Sequence, residues 1–122
     1  IDAKLIGVSL LTSLGESDST DLFNSNINNQ IMRLLMVAKK INIDGIVCSP
    51  LELDIANSVL GSTVLKITPG IREISLNDDQ ARTQGAKDAI KRGASFLVIG
   101  RPITQADDIS MALKFFTNLI NE

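Results

Sequence analysis

A chain of 122 residues, 44% of them hydrophobic, carries enough apolar side chain for one core and too little length for two ordinary domains. Its 12 Lys+Arg against 14 Asp+Glu leave no basic stripe for a nucleic-acid backbone, and 3% aromatics without Trp or Tyr remove the usual base-stacking platforms, which excludes nucleic acid as a partner. With no His and one Cys, a Cys/His zinc site and an internal disulfide are excluded as well. No apolar run reaches the roughly 20 residues that span a bilayer, and no signal segment opens the chain, so the expectation is a cytoplasmic protein with no membrane partner. Residue 1 is Ile rather than Met, from which a longer translation product is expected.

The first apolar run is LIGVSLL (5–11), which leads into the polar, Gly-containing stretch LLTSLGESDST (10–20). That stretch reads as a turn with a helix cap, or as an exit that sets the Thr12 and Ser13 hydroxyls at the mouth of a site. In NNQIMRLLMVAKKIN, Ile31, Leu34, Leu35, Ala38 and Ile41 fall on one face of a helix. The second run, GIVCS (45–49), ends with Cys48 and Ser49, and Cys48 reads as a packed core thiol because no His is present to activate it. PLELDIANSVLG (50–61) opens with Pro50, suited to a first helical turn, and closes with Gly61, suited to a C-cap. The third run, VLKIT (64–68), passes into ITPGIRE (67–73) and then EISLNDDQ (73–80), long and polar enough for a mobile lid or a plain solvated loop. DQARTQGAKDAIKRG (79–93) ends in basic residues and Gly93, a helix stop. The fourth run, FLVIG (96–100), passes into VIGRPIT (98–104), and a last helix sets Ile109, Ala112, Leu113, Phe116, Leu119 and Ile120 on one face.

None of the four runs alternates cleanly with polar residues, which suits parallel strands covered on both faces. Strand and helix repeated four times imply right-handed crossovers and a parallel sheet. Four βα units in this length are half of what an eight-unit barrel uses in about 250 residues. A flavodoxin-like open sheet would carry its ligand signal after the first strand, whereas here the signals follow the third and fourth. The expected fold is therefore α/β, four βα units equivalent to the second half of a TIM-type barrel, as one partial-barrel domain over 1–122.

The signals themselves are ITPGIRE and VIGRPIT. Each follows a strand with a Gly that lets backbone N–H groups approach a ligand, and each adds an Arg within two residues. Backbone donors beside a rigid, permanently charged guanidinium suit a phosphate. Either turn alone is more often ordinary; the pair, on neighbouring strands, can converge on one group.

At LLTS, DGIVCS, ITPGIR, the DDQAR segment and VIGRPIT, in that order and at nearly that spacing, the chain resembles the orotidine 5′-phosphate decarboxylase family over essentially its whole length. The resemblance implies an eight-stranded βα barrel of which this chain supplies strands five to eight. It also implies conversion of orotidine 5′-monophosphate to UMP and CO₂ in pyrimidine biosynthesis, with neither metal nor organic cofactor. Thr12 matches a position near the bound nucleotide, and Arg72, Gln80, Gly100 and Arg101 match phosphate-binding positions. The loop from Arg72 to Gln80 is slightly shorter than in common bacterial members.

One part of the family pattern is missing from this sequence. The signature Asp-x-Lys-x-x-Asp, whose lysine protonates the carbanion left by CO₂, has no counterpart; Asp2-Ala-Lys4 is followed at the last position by Gly7 and precedes the first strand. Lys4 and Lys114 read as surface lysines, and no catalytic residue is assigned to this chain. A bound phosphate holds the substrate but cannot supply the proton, so the chain alone is expected to be inactive. Four parallel strands standing alone also leave two edges. The expected partners are the N-terminal half of the barrel, or a second copy of this chain, together with orotidine 5′-monophosphate or UMP. The alternatives are a non-catalytic remnant or phosphate-binding half-barrel module, and another phosphate-binding barrel such as a sugar-phosphate decarboxylase.

Overall fold

The computed structural model describes residues 2–10, 14–71 and 79–122. Four strands, β1 (Ile6–Val8), β2 (Gly45–Val47), β3 (Leu65–Thr68) and β4 (Phe96–Leu97), form one sheet in sequence order. Every neighbouring pair is parallel, with Ile6 opposite Gly45, Ile46 opposite Lys66, and Ile67 opposite Phe96. Consecutive parallel strands lying side by side require each connection to cross back over the same face of the sheet.

The crossover helices start and stop where local chemistry directs. After β1 come α1 (Glu16–Phe23) and α2 (Ile27–Lys40). The Asn26 side chain accepts the Asn29 N–H at 2.8 Å to cap α2, and Lys39 and Lys40 sit at its negative end. After β2, Pro50 opens a 3-10 turn through Glu52 that runs into α3 (Leu53–Leu60), which stops at Gly61 with φ +79°. After β3 comes α4 (Asp79–Lys91), closed by Gly93 at φ +101°. After β4 come the four-residue α5 (Arg101–Thr104) and α6 (Ile109–Ile120), the latter capped by Asp108, whose carboxylate accepts the Met111 N–H at 3.0 Å.

Two of these helices were not expected. The α1 sequence ESDSTDLF has almost no apolar periodicity. It is held at its start by acidic Glu16 and Asp18, the latter accepting the Gly15 N–H at 2.9 Å, and at its end by Asn24 in the left-handed conformation. The other, α5, is a single turn begun by the residues read as a turn after β4. No helix among the described residues is long and apolar enough to cross a membrane.

The core lies between the sheet and the helix layer. Ile31, Leu35 and Ala38 of α2 and Leu53 and Ala56 of α3 pack with Ile46 and Cys48 of the second strand segment, while Ala86, Ala89, Phe116 and Leu119 continue the layer across α4 and α6. Leu35 and Leu53 are wholly buried, each contributing roughly 1.5–3 kcal/mol of transfer free energy. The α2 face matches the expected one except for Ile41, which is the exposed C-cap. On α6, Phe116 and Leu119 are buried, but Ile109, Leu113 and Ile120 stay at least half exposed.

The two sides of the sheet differ sharply. Side chains alternate along a strand and paired residues share a face. Ser9, Ile46, Cys48, Lys66 and Thr68 therefore point to the helices, and all are buried. On the opposite face stand Ile6, Val8, Val47, Ile67, Phe96 and Val98. Among the described residues no layer covers it: Val8 is 54% exposed and Phe96 57%, and Ile6, Val47 and Ile67 are only half-buried. The expectation of strands covered on both faces thus holds for their composition and fails for their surroundings. Apolar residues on both sides mark a sheet whose second face belongs to a barrel interior, of which this chain builds one half. On that face Gly45 keeps neighbouring strands tight, since a Cβ there would stand 2.7 Å from Ile6 Cδ1 and 3.1 Å from Leu65 Cβ.

Candidate functional site at the strand exits

The C-terminal ends of β3 and β4 leave the sheet side by side. Thr68 pairs with Leu97, and the Val98 N–H donates to the Thr68 carbonyl at 2.9 Å. Gly70 lies two residues beyond Thr68, and Gly100 two residues beyond Val98. Gly70 has φ +77°, a left-handed turn that a side chain would strain, and buried Ile71 then anchors the chain so that position 72 leaves from a fixed point. Gly100 caps α5, and among the described residues a Cβ there would meet nothing within 4 Å, so no described residue fills the space over this backbone. The Gly100 carbonyl accepts the N–H groups of Ile103 and Thr104 at 2.9 and 3.0 Å. The Gly100 and Arg101 N–H groups have no acceptor among the described residues.

Arg101 is exposed at the first position of α5 and has no carboxylate partner among the described residues. Two backbone donors and an exposed guanidinium, none with a partner among the described residues, stand at one turn beside a second glycine turn on the adjacent strand and suit an oxyanion. Of the other expected site residues, Thr12 and Arg72 lie outside the described residues, as does the side chain of Gln80, which is the second residue of α4. The structure therefore brings Gly100 and Arg101 beside the turn from which Arg72 departs. Lys4 lies just before β1, at the opposite end of the sheet, and is exposed; Lys114 is exposed on α6.

Sequence reasoning passed over a polar group under the sheet. Glu52, 8% exposed, accepts the Ser9 hydroxyl at 2.7 Å and the Ser49 N–H at 3.4 Å, tying the exit of β1 to the exit of β2. Burial raises its carboxyl above the usual range, and the Ser9 and Ser49 hydrogen bonds oppose that rise. A recess of about 280 Å³ beside it, lined by Leu10, Leu14, Ile31, Leu51 and Ile55, lies between helices and is separate from the β3 and β4 exits.

Further along this layer, burial and the nearby Glu52 carboxylate push the Cys48 thiol up to about 11, against the Thr68 hydroxyl and Lys66. Thr68 Oγ1 has no nitrogen or oxygen partner among the described residues, the Cys48 sulfur being its polar neighbour. Lys66 is 1% exposed, its charge disfavoured by burial, and its ammonium donates to the Gly61 carbonyl at the end of α3. A protonated thiol and a lysine spent on a helix C-terminus are structural groups, which agrees with the reading of Cys48 as a core residue. The available signal was spacing: Ser49 and Glu52 are three apart, the N-terminal capping pattern.

Comparisons with known proteins place this geometry. Residues 2–116 match the model of the orotidine 5′-phosphate decarboxylase / HUMPS family. The chain is 44% identical over 106 residues to the orotidine 5′-phosphate decarboxylase of Wolbachia pipientis subsp. Culex pipiens, covering 86% of this chain and 47% of that protein. It is 43% identical over 117 residues to that of Nitrosomonas europaea, covering 94% and 51%. The crystal structure of orotidine 5′-phosphate decarboxylase from Lactobacillus acidophilus superposes with a TM-score of 0.79 at 31% identity, over 98% of this chain and 50% of that one. The Pyrococcus horikoshii enzyme shares the fold, with a TM-score of 0.75 at 24% identity. The chain thus spans about half the length of the relatives it matches.

Proposed function

The chain belongs to the orotidine 5′-phosphate decarboxylase / HUMPS family, and from that premise we propose that it is the C-terminal, phosphate-binding half of an orotidine 5′-monophosphate decarboxylase barrel, built as one partial-barrel domain over 1–122. The observation that carries this reading is the pair of glycine turns leaving adjacent strands, with Arg101 free of any carboxylate among the described residues. In this assignment Arg101 pairs with the substrate phosphate and Gly100 offers backbone N–H. Arg72 supports the same end, Gln80 closes over it, and Thr12 contacts the nucleotide. The half supplies binding energy remote from the reacting carbon, which orients the substrate but leaves the barrier to proton delivery untouched. Loss of CO₂ leaves a carbanion that must receive a proton from an acid aimed at it, and this sequence lacks the Asp-x-Lys-x-x-Asp motif that would bring one.

The whole reaction, orotidine 5′-monophosphate to UMP and CO₂, therefore requires an N-terminal half-barrel as partner. A second reading is a phosphate-binding half-barrel module, in which Gly100 and Arg101 serve binding alone. Calorimetric titration of the chain with UMP and with uridine tests what both readings share. UMP is expected to bind more tightly, and equal affinities would remove the phosphate assignment.

A further inference from the structure

We infer that Glu52 is a positioning residue for the nucleotide site, fixing from beneath the sheet the exits of β1 and β2 beside the phosphate turns of β3 and β4. This rests on the reading of the chain as the phosphate-binding half of a barrel, and it names what holds the other side of that site in place. All four strands end on one rim, in the order β1-β2-β3-β4. Backbone bonds stitch the rim: the Ser9 N–H donates to the Val47 carbonyl at 3.1 Å, the Cys48 N–H to the Ile67 carbonyl at 3.1 Å, and the Val98 N–H to the Thr68 carbonyl at 2.9 Å.

The β1–β2 junction carries a further lock. The Glu52 carboxylate accepts the Ser9 hydroxyl, 43 positions away, and the N–H of Ser49, three positions away, so that one buried group clamps two strand exits. Ser9 and Leu10 are 3% and 7% exposed, and position 12, assigned to the nucleotide, stands two residues beyond that anchored pair. The two phosphate turns leave the other two strands. Loss of the clamp therefore disturbs the nucleotide end and leaves the phosphate end as it was.

The choice of a carboxylate supports this role. Glu52 stands beside a mostly apolar recess lined by Leu10, Leu14, Ile31, Leu51 and Ile55, and burial there works against its charge. Apolar side chains of similar volume would pack the same space without that penalty. What they lack is direction: dispersion contacts tolerate sliding, whereas two hydrogen bonds converging on one carboxylate set the distance and register of the exits they join. A tie serving stability alone has no need of that direction, and its loss would weaken every ligand alike.

Calorimetric titration of the purified 122-residue chain with UMP and with inorganic phosphate tests this. Glu52→Ala is expected to weaken UMP roughly tenfold, the loss of about one hydrogen bond to the nucleotide, and to leave inorganic phosphate unchanged. Glu52→Gln, which keeps an acceptor for both donors, is expected to restore UMP binding; a Gln variant as weak as the Ala variant would refute positioning by hydrogen bonds. Leu119→Ala, which opens the core near the C-terminal end of α6, is expected to lower stability and leave the ratio of the two affinities as it is. Equal weakening of both probes in Glu52→Ala, or the same change of ratio in Leu119→Ala, would overturn the proposal in favour of a folding tie. Should Glu52→Ala not fold, Ser9→Ala decides: it removes one of the two bonds and must weaken UMP relative to phosphate, and an unchanged ratio overturns the proposal. A preference for UMP over uridine that Glu52→Ala keeps in full removes this inference alone, whereas no such preference in the unaltered chain removes the reading beneath it.

Discussion

Replacing Glu52 separates two effects that the buried carboxylate combines. In Glu52→Ala the Ser9 hydroxyl, on a residue 3% exposed, and the Ser49 N–H lose the acceptor they share at 2.7 and 3.4 Å. A buried donor left without a partner costs ~1–3 kcal/mol, so Glu52→Ala is expected to lose about that much stability at pH 7. Glu52→Gln keeps an amide oxygen for both donors and removes the cost of burying a charge. The sign follows from the raised carboxyl: its contribution to stability is full below the unfolded value of 4.5 and is lost as pH rises through the higher folded value. Glu52→Gln should therefore hold its stability at pH 7 and flatten the fall in stability above pH 4.5. Urea unfolding followed by circular dichroism between pH 4 and 8, at one fixed protein concentration, measures both effects. In a cycle with Ser9→Ala the two substitutions should couple by ~0.5–3 kcal/mol. If Glu52→Ala unfolds like the unaltered chain and adds independently to Ser9→Ala, the tie between the two strand exits has no energetic content.

Arg101 is exposed and lacks a carboxylate partner among the described residues, so Arg101→Ala should leave stability within ~0.5 kcal/mol; the loss of a charge-assisted bond of ~1.5–3 kcal/mol should weaken UMP binding by roughly 10- to 150-fold with little change for uridine. Calorimetry that finds the same loss for both ligands would point to a folding defect instead. Cys48, 1% exposed and pushed up to about 11, should resist a thiol reagent at pH 8 until urea unfolds the chain. Labelling of the native protein at the rate of a free thiol would contradict its place in the core.

Much of this fold was legible because parallel strands and amphipathic helices write strong patterns. The runs at 5–11, 45–49, 64–68 and 96–100 each contain the strand found there, and α6 occupies the stretch whose spacing announced it. The helix α1 was not legible because its stability comes from charge at one end and Asn24 at the other, with Leu22 and Phe23 its only large apolar residues. The bare face of the sheet was misread for a different reason: Val8, Val47 and Phe96 are apolar because of what closes over them, and a sequence records that demand without recording whether it is met. At the site, the glycine and arginine pattern marked the two turns, since a left-handed φ at Gly70 and a space at Gly100 that no described residue fills leave compositional traces. The Ser9–Glu52 contact spans 43 positions, and only folding brings such partners together.

The most direct test of half an enzyme is to follow decarboxylation of orotidine 5′-monophosphate by the fall in pyrimidine absorbance, first with the purified 122-residue chain and then after adding a separately produced N-terminal half from a full-length relative. The expected result is no turnover by the chain alone and turnover once the Asp-x-Lys-x-x-Asp motif is supplied. Turnover by the chain alone would contradict the account, because it would place a proton donor for the carbanion among residues assigned here only to binding and structure.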